Sequence, residues 1–123
     1  MMKYKVITII MATFFLTVSL EIKHAAAYRM LGFGAQSCGS WTSNREILRM
    51  TPENQTSGTV AFHNMTWVLG FLSGIGFVGN GMDPLDGIDR EAVGAWIDRY
   101  CRENPLKNIA EAAGMLAVAH PRK

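Results

Sequence analysis

Cysteine is almost absent from this chain: Cys38 and Cys101 stand alone among 123 residues. Lysine and arginine form no cluster, Arg45 with Arg49 and Arg99 with Arg102 being sparse enough to be ordinary solvated faces, so there is no basic stripe for nucleic acid. No G-x-S-x-G elbow occurs, and His63 and His120 lack a second ligand at i+4 or a nearby cysteine pair. Neither a serine-hydrolase site nor zinc is therefore expected. Internal repeats and low-complexity tracts are missing too, which leaves one small domain.

What is present begins with an export pattern. Lys3 and Lys5 precede an apolar run over residues 6–20, then a polar stretch leads to Ala25, Ala26 and Ala27. That order is the pattern of a secretory signal peptide, with Ala25 and Ala27 in the cleavage positions. Residues 1–27 are expected to be removed, leaving residues 28–123 as a single domain in the periplasm or secreted. The apolar run is shorter than the roughly 20 residues of a membrane span. No cysteine follows it, so no lipid anchor is expected.

Cleavage would take away three lysines and one glutamate, leaving nine basic and nine acidic side chains. The net charge then falls to zero, and the pI of about 8.7 carries no argument for an anionic partner. Both cysteines remain, and an even count in an exported domain reads as a Cys38–Cys101 disulfide. Closing a loop of about 64 residues is worth roughly 4 kcal/mol on chain-entropy grounds.

The patterning predicts an all-α fold of three to four helices. Glycines make residues 28–41 an irregular lead-in; Thr42 or Ser43 then caps a short helix to Arg49, with Glu46 at the capping-box position. Residues 51–58 are a loop around Pro52. A helix over 59–78 is apolar on most sides, with Met65, Val68, Phe71, Leu72, Ile75 and Val78 as its stripe. Gly70 and Gly74, one turn apart, mark tight packing there, and the apolar core is too short to span a membrane. A further helix, 88–102, carries Ile88, Ala92, Val93, Trp96, Ile97, Tyr100 and Cys101 as its core stripe, with an Asp98–Arg102 ion pair outside. Asn104 as N-cap and Pro105 at N1 open the last helix, whose stripe runs from Leu106 to Ala117. Trp41, Trp67 and Trp96 are core and rim aromatics.

Several patterns imitate chemistry. Gly74, Gly76 and Gly79 match G-x-G-x-x-G, with Asp98 at the dinucleotide distance, yet Asn80, Gly81 and Pro84 follow where a helix must start. Asp83, Asp86 and Asp89 lack calcium-loop spacing, and Asp86 or Asp89 is better used as an N-cap. Asn54 and Asn64 head glycosylation sequons that are read as chance. No catalytic residue, metal or cofactor is expected.

Two resemblances follow from residues. WVLGFLSG over 67–74, an acidic loop, WIDRYCRENP over 96–105 and IAEAAGML over 109–116 together resemble the Rap/Tai-type immunity proteins of type VI secretion. In that family an early cysteine precedes a helix with a glycine-rich core, and a second lies just before the proline opening the last helix. Here Arg102, Glu103 and Asn104 separate Cys101 from Pro105, and a cysteine usual at the start of the central helix is missing. More distantly the chain resembles Hde-type periplasmic acid-stress chaperones, whose disulfide bridges an early and a late helix. The first resemblance implies binding to a toxin; the second implies acid-driven capture of an unfolded client.

The expectation is therefore an exported binding protein, not an enzyme, with a protein partner, no nucleic acid and no membrane contact once the signal is cleaved. The 79–87 loop is the candidate contact surface. Met82 and Leu85 supply its apolar contacts, Asp83 and Asp86 its polar ones.

Overall fold

The computed structural model describes residues 29–120, so the expected signal peptide and its cleavage site lie outside the described residues. Among the described residues, a 3-10 turn at Gly32–Ala35 is followed by α1 (Cys38–Met50), α2 (Gln55–Val78), α3 (Arg90–Glu103) and α4 (Ile109–Ala119). The architecture is all-α. The one isolated β-bridge, antiparallel between Ser37 and Asn108, joins the N-caps of α1 and α4.

The helix expected from Thr42 begins at Cys38 instead. Ser37 Oγ accepts from the Ser40 N–H at 3.1 Å, and the orphan donors of the first turn find remote acceptors. Cys38 N–H donates to the Lys107 carbonyl at 2.8 Å and Gly39 N–H to that of Pro105 at 3.0 Å. Tertiary pairing thus overrides the low propensity of Gly39. Glu46 is no capping residue; it pairs with Arg49 on the solvent side.

Helix α2 also starts early, because Asn54 caps it, its side chain accepting from the Ser57 N–H at 2.9 Å. Its buried stripe is narrow: Ser57, Asn64, Met65, Val68 and Leu72. Burial on most sides, as its composition suggests, does not occur. Val78, expected in the stripe, is exposed, Phe77 is 91% exposed, and His63 lies outside, stacked on Phe33 at 5.0 Å. The 3-10 turn, α1 and α4 supply most of the contacts to α2, and α3 meets it where Gly94 faces Met65, too few neighbours to enclose a 24-residue helix. Gly70 and Gly74 face open space, with nothing within 4 Å of an added Cβ, so neither marks packing within the domain. By length and composition α2 is apolar enough to cross a membrane, contrary to the sequence expectation, although part of it is buried in the bundle.

Asp89 caps α3, accepting from the Ala92 N–H at 2.8 Å. Val93, Gly94, Ile97 and Cys101 are buried, while Trp96 and Tyr100 stack on each other at 5.6 Å and cover the core from its rim. Asn104 ends this helix rather than opening the next: its backbone and side-chain N–H groups both donate to the Tyr100 carbonyl. Pro105 and Leu106 fall in the connecting turn, where Leu106 is 97% exposed. The last helix instead begins with a capping box in which Asn108 and Glu111 satisfy each other's backbone. Lys107 donates to Glu111 at 2.9 Å. That bond, with the Asn108 N–H, holds the Glu111 carboxyl below its ordinary pKa, and the same bond raises Lys107.

Four alanines of α4 (Ala110, Ala112, Ala113, Ala117) are buried with Ile109 and Leu116, letting this short helix approach its neighbours closely. Cys38 and Cys101 are bonded, with Cα atoms 4.7 Å apart and no solvent exposure. The core therefore gathers around a covalent link from α1 to α3.

Candidate functional site

A cleft of about 440 Å³ opens between α1, α2 and α3. Leu48, Phe62 and Met65 line its apolar side, and Arg45, Arg90 and Asp98 its polar side. Gly94 sets its depth: a Cβ there would lie 2.9 Å from Met65 Cε and 3.7 Å from Arg45 Nη2. Any side chain at this position would fill the junction of α3 with the other helices.

The polar wall is built from Arg45 on α1 and from Arg90 and Asp98 on α3, with Trp41 of α1 behind it. Trp41, buried, donates its indole Nε1 to Asp98 Oδ1 at 2.6 Å. The other carboxylate oxygen accepts from Arg45 Nη2 at 2.7 Å, and Arg45 Cζ sits 5.7 Å from the Trp41 ring centroid. Both Asp98 oxygens are thus engaged, its side chain being 18% exposed. The guanidinium is fixed by an ion pair and an aromatic face together. Arg90 and Glu91, at the start of α3, line the same cleft and form no ion pair among the described residues.

This geometry corrects the expected Asp98–Arg102 pair. Asp98 reaches across to α1, 53 residues back in sequence, because α1 and α3 pack side by side beside the disulfide. Sequence reasoning missed Trp41, Arg45 and Asp98 as a unit. No local spacing signals it.

The second candidate, the connection after α2, is an ordered turn. Asn80 and Gly81 have positive φ values of 35° and 95°, and Gly87 has 74°. Asp83 Oδ1 accepts from the Leu85 N–H at 3.1 Å, Pro84 is buried, and Leu85 is half-buried against the core. Of the four expected contact residues, Met82 and Asp86 project into solvent. Asp83 is exposed but spends one oxygen on the turn, and Leu85 anchors the loop.

The imitating patterns resolve into structural roles. Gly74 and Gly76 lie in the closing turns of α2 and Gly79 caps its C-terminus, the negative end of the helix dipole, where a phosphate is disfavoured. Asp83 and Asp89 serve a turn and a cap, and no three His, Cys, Asp or Glu side chains converge among the described residues. Asn54, half-buried, is spent as a cap, and Asn64 is buried, so the second sequon is not presented to solvent. The cleft sets an apolar recess beside a fixed cation. Neither a protein-family model, nor a curated protein, nor a solved structure matches the chain.

Proposed function

We propose that the chain is an exported, disulfide-stapled binding protein that neutralises a secreted toxin by occupying it, as the Rap/Tai-type resemblance implies, and that it acts in the periplasm. A buried disulfide fits a non-reducing compartment. The observation that carries the binding reading is the arginine held by Asp98 and Trp41 at the edge of an apolar recess. Binding energy concentrates where a charged or aromatic anchor is fixed before the partner arrives, since little side-chain freedom is then lost. Met82 and Asp86, exposed in the loop after α2, offer a second contact surface.

The test is co-expression, in the periplasm, with each toxin secreted by the same organism. Survival, with a stoichiometric complex at neutral pH that Arg45→Ala weakens at least tenfold, supports the proposal. Rescue by no toxin, together with suppression of client aggregation only near about pH 2 to 3, would assign the chain to the acid-activated Hde-type reading instead.

A further inference from the structure

Among the described residues, the outward face of α2 differs from the exposed surfaces of α1 and α3 and is longer than the uncharged exposed end of α4 at Met115, Val118 and Ala119. The helix has 24 residues and not one Asp, Glu, Lys or Arg. Opposite the buried Met65, Val68 and Leu72 lie Phe62, Thr66, Gly70, Ser73 and Phe77, all exposed. Helices α1 and α3 show solvent the usual mixture, with Glu46 and Arg49 on one and Arg90, Glu91, Arg102 and Glu103 on the other. A solvated face has no reason to avoid charge over its whole length; a face that is covered does.

We infer that this face pairs with a second copy of itself, α2 against α2, antiparallel about a twofold axis near Gly70. The charge pattern selects the occupant. In a twofold contact each patch meets its own duplicate, so any charge near the axis would face a like charge, and α2 carries none. The order of side-chain sizes fits as well. Phe62 lies eight residues before Gly70 and Phe77 seven after it, so antiparallel pairing sets Phe62 of one copy beside Phe77 of the other and Thr66 beside Ser73.

Crossing helices are closest at one point and diverge on either side. Gly70 at the crossing has nothing within 4 Å of an added Cβ, leaving room for a backbone to approach. The phenylalanines stand about 11 Å along the axis on either side, where the gap widens and a large ring is needed to fill it. Small residues at the centre and large ones at the ends make the surface complementary to itself. Only five exposed residues per copy form the patch, against the roughly 20 or more a side of a stable interface, so association belongs in the micromolar to millimolar range. Phe62 lines the cleft as well as this face, so the pairing and the toxin-binding reading share that side chain, whereas Gly70, Ser73 and Phe77 lie outside the cleft.

The purified, disulfide-bonded protein is to be sedimented to equilibrium from about 10 µM to 1 mM. A monomer–dimer equilibrium is expected, weakened at least tenfold by Gly70→Leu and by Phe77→Asp. Gly70→Leu fills open space in the monomer, so its melting temperature should not fall, which separates lost pairing from lost folding. Mixed Thr66→Cys and Ser73→Cys proteins should cross-link to each other more readily than either does to itself. A monomer throughout the range, a dimer indifferent to both face substitutions, or preferential 66-to-66 linkage would overturn the inference. So would a protein that stays monomeric and sediments with zwitterionic vesicles through this face.

Discussion

Trp41 and Asp98 are joined across 57 residues of chain by a single hydrogen bond, indole Nε1 to carboxylate Oδ1, at 2.6 Å. Since Trp41 is buried, removing the acceptor leaves its N–H without a protein partner. Asp98→Ala should cost about 2 to 3 kcal/mol in denaturant unfolding. Asp98→Asn keeps an acceptor for the indole and should cost less. Arg102→Ala, which breaks no ion pair among the described residues, should stay within about 0.5 kcal/mol.

Gly34 lies flat against Trp67. A Cβ at this position would come within 2.2 Å of indole Cζ2, and the ring is held in turn by stacking on Phe71 at 5.1 Å. Gly34→Ala should therefore displace the 3-10 turn and cost about 1 to 3 kcal/mol. Near-ultraviolet circular dichroism should register the movement of Trp67. Gly70→Ala, in open space, should leave that spectrum unchanged.

Cys101→Ser removes a link between residues separated by 63 positions and leaves two polar groups in the most buried part of the core. A loss of about 2 to 5 kcal/mol is expected, read as a lower urea midpoint than that of the oxidised protein. Alkylation of the untreated protein at either cysteine would show that the bond is not formed.

Glu111 gives a pH dependence with a definite sign. Its carboxyl is held below the ordinary value of 4.5 by Lys107 and by the Asn108 N–H, so the folded state binds a proton less readily than the unfolded one. Its stabilising contribution is complete above that ordinary value and is lost as pH falls through the lower folded one. An NMR titration should place the Glu111 midpoint below 4.5, and Lys107→Met should move it back up. On the alkaline side Lys107, raised above 10.5 by the same bond, loses its contribution only as pH rises past that value.

How much the sequence disclosed depended on whether the deciding contact was local. The α3 stripe is legible except at Ala92, which is exposed, and its cap is legible as Asp86 or Asp89, of which Asp89 fills the place; the two-cysteine count settles the disulfide. The capping box Asn108-x-x-Glu111 was equally local, but Asn104-Pro105 offered a competing start that the Tyr100 carbonyl claimed as a helix end. The early start of α1 was not legible: it rests on acceptors at Pro105 and Lys107, far along the chain. Asp98 shows the same limit, since spacing favours Arg102 and packing supplies Arg45. For α2 the apolar composition was read as burial, whereas much of that apolar surface faces outward.

The Ser37–Asn108 bridge and the adjoining disulfide bring the beginning of α1 and the end of α3 to one place. Tension applied to the two ends of the chain would strip the 3-10 turn and α4, then come to rest on the sulfur–sulfur bond, leaving residues 38–101 slack. A processive protease pulling from the C-terminal end would meet a covalent loop after α4 and have to thread two strands at once. Mechanical resistance of this domain is set by its redox state, not by the strength of its helices.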